Sequence, residues 1–174
     1  DVYKRQSMKR FIHIPKTAGR SMIKFLRENK LQVNSPRTKD NGASTKKHRT
    51  AYKYYRDFPN EERFCIVRNP YSRIVSFYNF AIKMGWLEKD YPWMQFIMDR
   101  PHIAPLRNNQ PWRLQIDYIM KDNKFYVHKK FKLETELEKL QAYLHTPKPF
   151  PKVNVSKQTG LSLIHISEPT RQSK

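Results

Sequence analysis

The sequence is short of several things, and each shortage removes a class of protein. Of its 174 residues only Cys65 is cysteine, so no internal disulfide can form. Cys65 sits in the apolar run Phe64-Cys65-Ile66-Val67, where a small core hydrophobe is expected rather than a nucleophile. No stretch approaches the ~18 apolar residues of a membrane-spanning helix, and no secretory signal is visible. The G-x-x-x-x-G-K-[ST] string of a P-loop kinase is missing. So are zinc-finger spacings and RNP-like strings, which counts against two common nucleic-acid modules. No internal repeat is present. Acidic residues are scarce: 15 Asp+Glu face 35 Lys+Arg, a formal charge of +20. That excess calls for a polyanionic partner (a nucleotide cofactor, a nucleic acid or an acidic polysaccharide) without choosing among them.

What is there suits one domain with a real core: 38% hydrophobic and 13% aromatic residues. The two ends read differently. Asp1-Val2-Tyr3-Lys4-Arg5-Gln6 is what GATGTGTATAAGAGACAG encodes, a string resembling a transposon-derived sequencing adapter. Leu161-Ser162-Leu163-Ile164-His165-Ile166 is encoded by its reverse complement, and Ser167–Arg171 continues into what resembles the adjoining primer site. The same adapter in opposite orientations at both ends is hard to obtain by chance. Residues 1–6 and 161–174 are therefore set aside as adapter-derived, and 7–160 is read as the domain, incomplete at its C-terminus. Without the ends the charge is still about +18. If Met8 is the native start, a cytoplasmic location is expected.

Along the chain, strands and helices alternate. Arg10–Ile14 reads as a first strand, and Ser21–Asn29 as an amphipathic helix with Met22, Phe25 and Leu26 on one face. Residues 30–47 are polar and read as a long loop, a length that hints at function. Thr50–Phe58 is a short helix and Arg63–Arg68 a second buried strand. Asn69-Pro70 then starts a helix to about Met84, with Gly85 closing it and Ile74, Val75, Tyr78 and Ile82 apolar. Further helices are expected at Pro92–Met98, Trp112–Met120 and Leu133–Leu144. A third strand is expected at Phe125-Tyr126-Val127, and a last extended piece at Val153–Lys157. Alternation of this kind implies an α/β fold, a mainly parallel central sheet with helices on its faces.

Two stretches carry chemistry. Phe11 to Met22 runs from an apolar strand through a tight turn into a helix. Helix-start N–H groups lack internal partners and the dipole favours negative charge there. Lys16 adds a full charge, Thr17 and Ser21 add hydroxyls, and Gly19 is read as allowing a close backbone approach to a ligand. Arg68 to Ser76 repeats the logic, with Arg68 at a strand's C-terminal end, where α/β sheets bind ligands. Its planar fork suits a phosphate, and Ser76 lies about two turns into the following helix. Alone, Arg68 could be a structural ion pair and Ser76 a small residue at a helix contact. Two such sites in one small basic domain point to a ligand with two separated phosphate-like groups.

His13-Ile14-Pro15-Lys16-Thr17-Ala18-Gly19 resembles the 5′-phosphosulfate loop of sulfotransferases that use 3′-phosphoadenosine 5′-phosphosulfate. Val67–Tyr78 resembles their 3′-phosphate motif, and the carbohydrate sulfotransferases, including the heparan sulfate 2-O type, look most similar. The resemblance spans about 10–160. It implies a P-loop-like three-layer sandwich and a sulfonate donor held by Lys16, Thr17, Ala18, Gly19, Arg20 and Ser21 at its 5′ end. Arg68 and Ser76 would take its 3′-phosphate, with a lesser part for Lys157. It also implies a hydroxyl-bearing acceptor, expected to be a glycan, and no metal. Arg20 stands where many relatives have a hydroxyl residue, and Lys132 where an acid is common.

Transfer to a hydroxyl needs a group to take its proton. His13 reads as structural within its strand, His128 as ending the third strand, and His145 as a helix C-terminal residue. His48 precedes Arg68 by 20 residues, with a short aromatic-containing helix between, much as the base does in the 2-O-type relatives. His48 is the expected base and His102 the reserve. A basic nucleic-acid- or polyanion-binding module and a kinase-like phosphotransferase are the alternatives; neither accounts for both motifs.

Overall fold

The computed structural model describes residues 8–35, 48–99 and 113–151. Both terminal segments, His102, Trp112 and Val153–Lys157 lie outside the described residues. Four strands form one parallel sheet in the order β2 (Val33–Asn34), β1 (Lys9–Ile12), β3 (Glu62–Val67), β6 (Lys129–Lys132). In this register Phe11 stands beside Phe64, Ile12 beside Cys65 and Ile66 beside Phe131.

Side chains alternate across a strand, so the sheet feeds two cores. Phe11, Phe64, Ile66 and Phe131 point to one face. There they meet Met22, Phe25 and Leu26 of α1 (Gly19–Glu28), and Leu140 of α6 (Leu137–Tyr143) with Leu144 beyond it. Ile12 and Cys65 point to the other face. They pack on Ala51 and Tyr54 of α2 (Ala51–Asp57) and on Tyr118 and Ile119 of α5 (Ile116–Ile119). Burial on both faces explains why β1 and β3 read as continuous apolar runs. The result is the expected α/β sandwich.

Helix α3 (Pro70–Lys83) follows β3 at once. Asn69 caps it, its side-chain oxygen accepting from the N–H of Tyr71 at 2.9 Å and of Ser72 at 3.3 Å. Beyond the helix Gly85 takes φ 68°, the left-handed region that closes helices. The buried residues of α3 are Arg73, Phe77, Tyr78 and Ala81; of the expected set Ile74, Val75, Tyr78 and Ile82, Tyr78 is buried and Ile74 and Ile82 pack half-buried against the same core. Phe77, Tyr78 and Ala81 form a third core with Leu87 and Phe96, the latter on α4 (Trp93–Asp99).

The expected third strand is misplaced. Asp122 and Asn123 both take positive φ, 49° and 57°, which short Asx side chains tolerate. That turn folds β5 (Lys124–Phe125) back on β4 (Met120–Lys121) as an antiparallel hairpin. The chain enters the main sheet only at β6, so His128 precedes the strand and Lys132 ends it. Of β6 only Phe131 is buried; its lysines face solvent, as suits an edge strand. Strand β2 lies within the stretch read as a loop; two half-buried residues leave no periodicity to detect.

Burial pushes the Cys65 thiol up to about 12, so it carries negligible thiolate. Iodoacetamide at neutral pH is expected to leave Cys65 unmodified in the folded protein and to alkylate it once denaturant unfolds the chain, read by mass spectrometry.

Candidate functional site

β1 and β3 are neighbours and parallel, so their C-terminal ends open on the same edge of the sheet. Past β1, residues 13–18 wrap tightly into α1. Lys16 and Ala18 take φ 66° and 63°, left-handed conformations that cost a non-glycine residue about 1–3 kcal/mol each unless their surroundings enforce them. The enforcement is visible. Thr17, fully enclosed, donates its hydroxyl proton to the Ile14 carbonyl at 3.0 Å. The buried Arg73 reaches from α3 and donates through Nε to the Pro15 carbonyl at 2.9 Å. Arg68 donates through Nη1 to the Lys16 carbonyl at 3.3 Å.

Ala18 is the N-cap of α1 and offers no side-chain cap, and the first turn holds no acid. The N–H groups opening this ten-residue helix therefore face the loop without a side-chain acceptor from the cap. Ser21 is buried beside them and Arg20 is exposed.

Lys16 extends its ammonium over the Phe80 ring, 4.2 Å from the centroid. Burial first, and then Arg68, Arg20 and Lys83, push it down to about 8. Like charges crowd a half-buried site, and among the described residues no ion pair joins Lys16, Arg20 or Arg68 to a carboxylate. Burial also lowers Arg68 and Arg73. The backbone of Arg68 is pinned at both ends by one amide: its N–H donates to Gln115 Oε1 at 2.9 Å, and Gln115 Nε2 donates to its carbonyl at 2.7 Å.

Ser76 shares a stripe of α3 with Arg73, Phe80 and Lys83. Arg73 and Phe80 touch the loop and Lys83 acts electrostatically on Lys16, so the stripe carrying Ser76 faces the loop.

His48 stands at the same edge. Its Nδ1 lies 3.2 Å from the His13 carbonyl, and the two rings are 4.5 Å apart between centroids. A carbonyl can only accept, so this bond requires Nδ1–H and makes Nε2 the nitrogen able to take a proton. His128 is elsewhere: it accepts from the Arg63 N–H at 2.9 Å, at the start of β3. His145 follows α6, exposed, at φ 52°. The structure thus brings Lys16, Arg68, the Ser76 stripe and His48 to one sheet edge; His102 and Lys157 lie outside the described residues.

Three supporting residues carried no role in the sequence reading. Phe80 and Gln115 act across distances of 64 and 47 residues, which no local pattern reports. Arg73 had a signal: a cation on the buried side of an apolar helix needs an acceptor, and the Pro15 carbonyl supplies one.

Cations past two neighbouring strand ends of a parallel sheet, one of them leading into a helix start without a side-chain cap, give this α/β fold an edge suited to an anionic ligand. The chain belongs to the Sulfotransferase family, which residues 10–161 match. It is a sulfotransferase, an enzyme that moves a sulfonate group to an acceptor. No curated protein and no solved structure matches the chain. Among the described residues no helix is long and apolar enough to cross a membrane.

Proposed function

We propose that the protein transfers a sulfonate group from 3′-phosphoadenosine 5′-phosphosulfate to a hydroxyl of a carbohydrate acceptor. The observation that carries this reading is the linked pair Lys16 and Arg68, cations at adjacent strand ends joined through the Lys16 carbonyl; among the described residues neither is in an ion pair, and Glu134 offsets only part of the burial of Arg68. Burial depresses Lys16 most; a donor with phosphate at both ends would relieve the repulsion from Arg68, Arg20 and Lys83 that adds to it.

In this reading the Lys16 ammonium and the N–H groups of Gly19, Arg20 and Ser21 hold the 5′-phosphosulfate. Thr17 and Ala18 shape the turn. Arg68 and Ser76 hold the 3′-phosphate, and Lys157 assists there. The exposed Arg20 guanidinium takes the place of the hydroxyl common among relatives. The donor supplies a sulfuryl group on a phosphate leaving group. As the acceptor oxygen bonds to sulfur and the bond to the bridging oxygen breaks, His48 Nε2 takes the hydroxyl proton and Lys16 neutralises the charge growing on the leaving phosphate. Positioning and preorganised charge supply most of the acceleration in such transfers.

The test is label transfer from the 35S-labelled donor to a panel holding acidic glycans, neutral oligosaccharides and a simple phenol. Label on a glycan hydroxyl, lost in Lys16→Met, is the expected result. Label on the phenol alone would reject the carbohydrate acceptor. No transfer to any acceptor, together with RNA binding that outlasts nucleotide binding at raised salt, would favour the polyanion-binding alternative.

A further inference from the structure

Arg68 leaves the sheet at a point where the strand beside it has already turned away. In an extended strand a residue's own N–H and C=O point to one side, and the side alternates along the chain. The Arg63 and Val67 carbonyls accept from the His128 and Leu133 N–H groups at 2.7 and 2.8 Å, so these positions serve the β6 side. The Glu62 N–H donates to the Met8 carbonyl at 3.0 Å, on the β1 side. Arg68 shares the parity of Glu62, so its N–H and C=O face β1. There β1 has ended: its last pair with β3 is Ile12 with Cys65, and the chain beyond turns into the Lys16 loop.

Backbone polar groups in a half-buried crevice need partners, and Gln115 supplies both. Its Oε1 accepts from the Arg68 N–H at 2.9 Å and its Nε2 donates to the Arg68 carbonyl at 2.7 Å. One amide at the start of α5 thus extends the ladder by a residue where β1 is missing.

The clamp holds two peptide planes. The Arg68 N–H lies in the plane that carries the Val67 carbonyl, and the Arg68 carbonyl in the plane that carries the Asn69 N–H. From the β6 side the Leu133 N–H holds the first plane and Glu134 Oε1 the second, at 2.8 and 2.9 Å. Glu134 is exposed, so water competes for its bond. Gln115 alone among these partners grips both planes. The planes meet at the Arg68 Cα, and their rotation about it sets the direction in which the side chain departs. Among the described residues the guanidinium gives one of its five donors to the Lys16 carbonyl, at 3.3 Å.

We propose that Gln115 is a positioning residue whose two-point hold on the Arg68 backbone aims the guanidinium at the 3′-phosphate, and so sets the preference for a bisphosphate nucleotide over a 5′-monophosphate. The inference rests on Arg68 taking the 3′-phosphate.

The experiment titrates full-chain variants calorimetrically with 3′-phosphoadenosine 5′-phosphate and with adenosine 5′-phosphate. Gln115→Met keeps the length of the side chain and removes both hydrogen bonds. It is expected to weaken the bisphosphate about tenfold, the size of one misaligned charge-assisted hydrogen bond, and the monophosphate less than about twofold. In transfer assays KM for the donor should rise about tenfold, with kcat at saturating donor within about threefold of wild type. In the Arg68→Ala background Gln115→Met is expected to move the ratio of the two affinities less than about twofold, because the group it aims is gone. An unfolded fraction removes sites for both nucleotides alike and leaves the ratio unchanged, so poor folding cannot imitate the result. An unchanged ratio in Gln115→Met, whether both nucleotides weaken or neither does, would overturn the proposal. So would an equal shift of the ratio with and without Arg68. An Arg68→Ala that keeps the bisphosphate preference would instead remove the 3′-phosphate reading, and this inference with it.

Discussion

Lys16→Met is expected to lower kcat/KM for the donor about 10³-fold, the upper end for losing one preorganised charge-stabilising group, while raising the melting temperature of the ligand-free protein. The two effects have one cause. Below about pH 8 the Lys16 ammonium is charged in both the folded and unfolded chains, and the folded state alone bears its burial and the repulsion of Arg68, Arg20 and Lys83. Methionine keeps the stem against Phe80 and removes the charge. Between about pH 8 and the ordinary lysine value, the unfolded chain holds more protons at this position than the folded one, so wild-type stability rises with pH. The advantage of Lys16→Met should therefore shrink across that window. Activity carries the mirror image: kcat/KM for the donor should fall as pH rises through about 8, since it reports the free enzyme. Bound anions raise the lysine again, so kcat itself should hold to higher pH. Parallel pH profiles of kcat and kcat/KM check this. A Lys16→Met that is less stable than wild type at pH 7 would contradict it.

His48→Ala is expected to lower kcat about 10²- to 10⁴-fold, the usual contribution of a positioned general base. The affinity for 3′-phosphoadenosine 5′-phosphate should stay within about twofold, because this product lacks the acceptor hydroxyl on which His48 acts. The separation of the two parameters distinguishes a base from a residue that merely supports the loop. Calorimetric binding and single-turnover transfer on the same preparation measure both.

Much of this was legible in the residues. The strand–turn–helix grammar of His13–Ser21 and of Arg68–Ser76 is local, since each site is built from consecutive residues whose turn, cap and helix start lie within one short stretch. Cys65 was legible for the same reason. What escaped depends on the third dimension. KKFK gives β6 one buried side chain at a sheet edge, whereas Phe125-Tyr126-Val127 looks more strand-like but is diverted by the Asp122-Asn123 turn. The clamp of Gln115 on Arg68 and the cushion of Phe80 under Lys16 join distant residues. Gly19 was legible as special but for a different reason: in isolation a glycine in a phosphate-type loop suggests room for ligand, and only the placement of the His13 ring shows what occupies that room.

In the proposed mechanism Arg68 and Lys16 hold opposite ends of one nucleotide. Calorimetric titration of 3′-phosphoadenosine 5′-phosphate against adenosine 5′-phosphate, in wild type and in Arg68→Ala, tests this most directly. Wild type should prefer the bisphosphate by about 10- to 100-fold, the worth of a charge-assisted pair of hydrogen bonds. In Arg68→Ala that ratio should fall to near one, even if loss of the Arg68 bond to the Lys16 carbonyl weakens both ligands together. A ratio that survives in Arg68→Ala would assign Arg68 to shaping the loop alone and contradict the two-ended donor site.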